Sequence, residues 1–184
     1  MTLQRFFLFT LGLGFLTACQ PDIPELGLSF AEPAWDGTTL PAQHQCLKHG
    51  GGKGAPAWQV SQLPEGATWL VFAYSDAEYH PNTHGVIAYP VSLLREGLVP
   101  SVPAQTFELP EGFVSLQPHA LEQWSQPGAY LGPCSGGNGH RYYVTVTAVQ
   151  IETQGLTGNA FTEQLMKQVK KNPKAQIEMT LAVY

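Results

Sequence analysis

Residues Tyr130–Tyr143 read Y-L-G-P-C-S-G-G-N-G-H-R-Y-Y and run directly into the alternating stretch V-T-V-T-A-V. Glycine accepts positive φ and proline fixes φ, so a Gly/Pro-rich run of this kind bends tightly. The loop then delivers His140 and Tyr142 to the mouth of a strand. Arg141, between them, points to the opposite face, because side chains alternate along a strand. Backbone N–H groups, an imidazole and a phenol gathered over a small volume suit an oxyanion or phosphate.

Outward from this loop, apolar alternation predicts strands at Trp69–Tyr74, Gly85–Tyr89, Arg141–Ile151 and Ile177–Tyr184. In the third, Tyr142, Val144, Val146 and Ala148 share one face, and Tyr143, Thr145, Thr147 and Val149 the other. Both faces carry bulky side chains, so this strand is central and covered on both sides. One helix is expected over Ala160–Lys171, with Phe161, Leu165 and Val169 on one stripe. Thr157 or Asn159 can cap it, Lys167, Lys170 and Lys171 complement its C-terminal dipole, and Asn172-Pro173 stops it. Fifteen prolines and nineteen glycines against 12% charged residues argue for a loop-rich β protein and against a helical bundle. The expected fold is mainly β: an antiparallel β-sandwich with one helix near the C-terminus.

The N-terminus addresses the chain. Arg5 precedes the apolar run F-F-L-F-T-L-G-L-G-F-L, and L-T-A-C follows. A positive start, a short apolar core and small residues before the cut make a secretory signal peptide, too short for a permanent membrane anchor. L-T-A-C is a lipobox, which makes Cys19 the lipidated first residue of the mature protein; ordinary signal-peptidase cleavage nearby is the alternative. Attached acyl chains would hold the protein stably at a membrane. Gln20 is not the aspartate that favours inner-membrane retention, so the outer membrane is the favoured leaflet of the bacterial envelope. The chain divides into a leader (1–18), a lipidated cysteine with its tether (19–28) and one domain (29–184), a length suited to a single core. The net charge is −5, and loss of Arg5 makes it more negative. Such a surface repels polyanions, and Lys170-Lys171 is the longest basic run, which argues against a nucleic-acid partner.

The loop sequence resembles the signature of phosphatidylethanolamine-binding proteins, among them the Raf-kinase-inhibitor-like proteins of bacteria. That signature runs Y-x-G-P-C-P-P-x-G-x-H-R-Y-x-F. Tyr130, Gly132, Pro133, Cys134, His140, Arg141 and Tyr142 match it, while Ser135 and Gly136 replace the proline pair. Upstream, Phe30–Cys46 is similar to F-x-x-G-x-x-I-P-x-x-Y-x-C, and Ala55–Gly66 to S-P-P-L-x-W-x-x-x-P-x-G. Tyr74–Glu78 stands where the family has D-P-D-A-P, and His84 fits H-W-V-V-x-N-I-P. The order holds over about Phe30–Tyr184.

The resemblance implies a β-sandwich and a small pocket for an anion or phosphorylated headgroup. It assigns that pocket to His84, His140, Tyr142, the Gly132-Pro133 backbone and Asp76, with no cofactor. Three departures bear on the pocket: Tyr74 replaces its first aspartate, Gly85 the tryptophan after its histidine, and Glu78 the last proline. Tyr74 could offer its hydroxyl to an anion, or its ring could fill the space. The resemblance also sets both remaining cysteine segments near the loop, so a Cys46–Cys134 disulfide is expected in an oxidising compartment. Two separate buried thiols are the alternative.

Other constellations weigh less. His80 and His84 form H-x-x-x-H, but P-N-T between them favours a loop over the helix that zinc binding needs. His44, Cys46 and His49 form H-x-C-x-x-H, yet envelope cysteines more often pair than ligate, and no metal site is expected. His119, in a polar Pro-bearing connection, is read as solvated. G-G-G-K-G (Gly50–Gly54) lacks the Ser/Thr of a phosphate loop and is read as a flexible loop. Three function classes remain: a binding module, a partner-binding or inhibitor protein of the envelope with a closed or vestigial pocket, and an enzyme. Ser135, His140 and Asp76 are a nominal Ser-His-Asp set without a G-x-S-x-G elbow, so no catalytic residue is assigned.

Overall fold

The computed structural model describes residues 26–81, 83–121 and 125–184; the leader, Cys19 and most of the tether lie outside them. Eight strands and one α-helix follow in the order β1 (Gly27–Phe30), β2 (Trp58–Gln62), β3 (Trp69–Asp76), β4 (Gly85–Pro90), β5 (Leu98–Val99), β6 (Val114–Gln117), β7 (Arg141–Val149), α1 (Gly158–Lys171) and β8 (Ala175–Val183). They build a three-stranded sheet ordered β1-β2-β5 and a five-stranded sheet ordered β6-β4-β3-β7-β8. Every strand pair is antiparallel. The fold is mainly β, as read from the pattern.

Alternation decides the two faces of the large sheet. Leu70, Phe72 and Tyr74 of β3 and Tyr142, Val144, Val146 and Ala148 of β7 pack with Trp58 and Val60 of the small sheet in one core. Trp58 stacks at 5.0 Å on Phe30 and at 6.2 Å on Phe72, bridging the sheets. On the reverse face Val71, Val86, Ala88 and Val149 meet Phe161 and Leu165 of α1. Strand β7 thus lies between β3 and β8 and is covered on both faces, although Tyr143 and Thr145, beyond the helix, are only half-buried. Helix α1 starts two residues earlier than the periodicity implied, with Thr157 at the N-cap position but no side-chain capping bond.

The first strand begins at Gly27 and Leu26 is buried, so the domain takes in the end of the segment read as tether. Strands β1, β2, β5 and β6 carry two to five residues, too few to establish a period. Strand β3 runs two residues past Tyr74, which places Asp76 opposite Tyr142 in the ladder. Gly50–Gly54 is not loose: Gly52 N–H donates to Gln45 at 2.7 Å, Lys53 to Gln43 at 2.9 Å, and Gly54 O accepts from His44 Nδ1 at 2.7 Å.

Truncating Leu165, fully buried under the sheet, should lower the unfolding free energy by about 2–5 kcal/mol in Leu165→Ala. Glu163→Ala, on the exposed face of the same helix, should stay within about 0.5 kcal/mol. Urea unfolding of the two variants checks both values.

Candidate functional site

The Tyr130–Tyr143 loop is held from three sides. Leu131 N–H donates to His84 O at 3.0 Å, and His84 Nδ1 donates to Leu131 O at 2.8 Å. This pairing needs Gly85, whose φ is +108°; a Cβ there would lie 2.0 Å from the Ala129 carbonyl oxygen. The tryptophan of the family pattern would not fit that backbone. On the second side Cys46 N–H donates to Pro133 O at 2.9 Å, and Cys46 and Cys134 form a disulfide with Cα atoms 5.2 Å apart. A Cβ on Gly132 would meet His44 O at 2.5 Å, so glycine allows this approach. Closing a loop of 88 residues, the disulfide stabilises by about 3–5 kcal/mol on the chain-entropy model. On the third side the Tyr142 hydroxyl accepts from Cys134 N–H at 3.1 Å and Ser135 N–H at 3.0 Å.

These contacts enclose a cavity of about 250 Å³ lined by Asp76, His84, His140 and Tyr142, together with Lys48, His49, Tyr79 and Cys134. Asp76 enters from the end of β3, His84 from the residue before β4, and His140 and Tyr142 from the start of β7. His140 Nδ1 donates to Asp76 Oδ2 at 2.8 Å, which leaves its Nε2 for a ligand. Asp76 Oδ1 accepts from Glu78 N–H at 2.9 Å. Burial pushes the Asp76 carboxyl up, but the His140 and Glu78 bonds outweigh it and hold it below the usual carboxylate range. Burial keeps the His84 ring neutral, its pKa lowered to about 4 against the opposing pull of the Leu131 bond and the Asp76 charge. With Nδ1 protonated toward Leu131, its Nε2 is an acceptor. Burial, reinforced by the Asp76 charge, raises Tyr142 to about 12, so it keeps its proton.

Four assigned residues therefore meet at one cavity. Gly132 and Pro133 shape its wall from behind without lining it, and Arg141 is exposed on the other face. Tyr142 spends its acceptor capacity on the loop N–H groups, so those two amides are not offered to an anion; its O–H proton is what it can give. Tyr74 neither fills nor lines the cavity. Its ring lies edge-on to Tyr130 at 4.7 Å in the core, and its hydroxyl accepts from Trp58 Nε1 at 3.4 Å. His119, expected in solvent, is buried: its Nε2 bonds Gln126 O at 2.8 Å and its backbone N–H donates to Gly128 O at 3.2 Å. His44 is a core residue beside Trp35 at 4.8 Å, and His80 is exposed, so neither histidine motif assembles as spaced.

Sequence alone does not mark Lys48, His49 and Tyr79 as site residues. The H-x-C-x-x-H spacing contained the signal for His49: pairing of Cys46 with Cys134 carries the short 3-10 turn Leu47–His49 to the cavity. Two groups of potential metal ligands lie close together, Asp76–Glu78–His140 and Cys46–His49–Cys134. In the first, every member is engaged: Asp76 by His140 and Glu78, and Glu78 Oε2 by the Arg141 N–H at 3.0 Å. Ser135 Oγ donates to the Tyr184 carbonyl, so Ser135, His140 and Asp76 are not linked as a relay.

The chain belongs to the phosphatidylethanolamine-binding protein family, whose model matches residues 31–182. The family consists in general of non-catalytic binding proteins. Among solved structures it is similar to E. coli YbcL, described as a new member of the mammalian PEBP family. Identity is 20%, with 87% of this chain and 98% of that one covered and a TM-score of 0.59. A putative family homologue from Chlamydia trachomatis, CT736, is 18% identical over 88% of this chain and 97% of its own, with a TM-score of 0.53. At these identities the likeness is one of fold. No curated protein matches the chain.

The two perturbed groups set the acid response. His84 has a folded pKa below its unfolded value, so the unfolded state binds protons first and stability falls as pH drops from about 6.5 toward about 4. Asp76 is also depressed; its contribution is complete above about pH 4 and is lost below it, as pH falls through the folded pKa. Chemical unfolding between pH 7 and 3 should show both stages. His84→Gln should flatten the first, and Asp76→Asn the second.

Proposed function

We propose that this chain is a lipid-anchored binding protein of the bacterial cell envelope whose cavity takes a small anion or phosphorylated headgroup. The observation that carries the reading is convergence: Asp76, His84, His140 and Tyr142, from three separate segments, line one cavity with Lys48 and His49. A volume of about 250 Å³ is at the small end for ligand pockets and fits a headgroup rather than a drug-sized molecule. Lys48, the two imidazoles His49 and His140, and the Tyr142 O–H are donors of the kind a phosphate takes. The ionised Asp76 repels a bare anion and attracts an ammonium, which favours a phosphorylated amine over a simple phosphate. Anchoring at Cys19, with the outer membrane as the favoured leaflet, rests on the L-T-A-C motif and Gln20. No helix among the described residues is long and apolar enough to cross a membrane.

Calorimetric titration of phosphoethanolamine into wild type and His140→Ala tests the pocket. Binding by wild type, weakened at least about tenfold in the variant by loss of one charge-assisted bond, is the expected result. Absence of binding to both would transfer the role to a protein partner.

A further inference from the structure

Cys134 and His49 on the cavity wall, with Cys46 buried behind them, hold a donor set that the disulfide masks. Their two Sγ atoms and one imidazole nitrogen lie within 4.8 Å of one another. Two thiolates and an imidazole are the ligands that tetrahedral d10 cations prefer, whereas a disulfide coordinates them poorly. We propose that two-electron reduction of Cys46–Cys134 by a dithiol converts this corner into a binding site for a soft d10 cation of the zinc or cuprous type.

The step balances simply. The dithiol supplies two electrons and two protons and becomes a disulfide; the Cys46–Cys134 bond breaks and two thiols form. Metal entry displaces the two thiol protons, leaving two thiolates and the neutral His49 nitrogen as ligands. Cys134 and His49 both line the cavity, so the fourth coordination position opens into it, the arrangement of a site that exchanges ligands rather than of a closed structural one.

The backbone keeps the three residues together without the sulfur bond. Cys46 N–H donates to Pro133 O at 2.9 Å, His49 N–H to Cys46 O at 3.0 Å, and Gly51 N–H to Cys46 O at 3.2 Å. Cys134 N–H is held by the Tyr142 hydroxyl at 3.1 Å. His49 lies against the loop: a Cβ on Gly136 would come within 3.0 Å of its Cε1, and its ring stands edge-on to Tyr184 at 6.5 Å. Two sulfurs each about 2.3 Å from zinc sit roughly 3.8 Å apart in a tetrahedron. Cα atoms 5.2 Å apart are close enough for the two side chains to present their sulfurs at that spacing. His44, the third member of the sequence motif, is turned away, its Nδ1 bonded to Gly54 O at 2.7 Å.

Zinc alone is the probe, because it is redox-inert and cannot reoxidise the thiols. The protein, reduced with a phosphine that is then removed, is titrated with Zn²⁺ against a chromophoric chelator, with far-UV circular dichroism recorded alongside. The expected result is one Zn²⁺ per folded, reduced chain and none per oxidised chain. Affinity should fall at least about tenfold in His49→Ala, vanish in Cys46→Ser, and be unchanged in His80→Ala, which removes an exposed histidine away from the corner. Equal zinc binding by oxidised and reduced protein, no effect of His49→Ala, or loss of the fold on reduction would each overturn the proposal. The phosphoethanolamine titration of the oxidised protein is a separate measurement, so failure of the anion reading leaves this one standing.

Discussion

The Tyr142 hydroxyl under the N–H groups of Cys134 and Ser135 is the interaction on which the rest of the site depends. Strand β7 is fixed by its ladders to β3 and β8, so its side chains are placed by the sheet. One phenol oxygen passes that placement on to a Gly/Pro-rich loop that could not hold a shape alone. From there order spreads outward. Cys134 brings Cys46 and the turn bearing Lys48 and His49, and Leu131 is tied to His84 at the entry to β4. A phenol in this position is both a structural anchor and, through its remaining proton, a donor to the cavity.

Electrostatics then divides the cavity into groups with different tasks. The Asp76–His140 pair fixes one imidazole and keeps a carboxylate ionised under burial. Neutral His84 gives its proton to the loop backbone and keeps an acceptor nitrogen. The cavity is therefore mixed in sign, not a simple basic funnel. A ligand carrying both an anionic and a cationic group would satisfy it better than phosphate alone. With Tyr74 in the core, the carboxylate that lines the cavity is Asp76, two residues further along β3.

The long, strongly alternating strands and the amphipathic helix were legible in the sequence, because an apolar period sustained along a whole element fits one conformation and its buried face. Four short strands were not: β1, β2 and β5 are fixed by pairing with one another and β6 by pairing with β4, not by their own pattern. In the site, His84, His140, Tyr142 and Asp76 were readable from motif order, and the Cys46–Cys134 pair from compartment and resemblance. Tyr74 takes neither the donor nor the pocket-filling role, since strand alternation alone does not say how deep in the sandwich a residue lies. His119 departs from its expected exposure because a polar connection need not be a solvated one. Its ring and backbone pair with the carbonyls of Gln126 and Gly128, which lets His119 be buried while Pro118 and Ala120 beside it stay exposed. Lys48 and Tyr79 carried no local signal; the Cys46–Pro133 backbone bond with the disulfide beside it, and the end of β3, bring them to the cavity.

The most direct test of this account is amide hydrogen exchange at Cys134 and Ser135 in wild type and Tyr142→Phe. Removing the one acceptor that both amides share should speed their exchange by about tenfold or more, while Val146 in the β3–β7 ladder stays as protected as before. Unchanged exchange at Cys134 and Ser135 would mean that the loop holds its shape without the tyrosine, and would contradict the account.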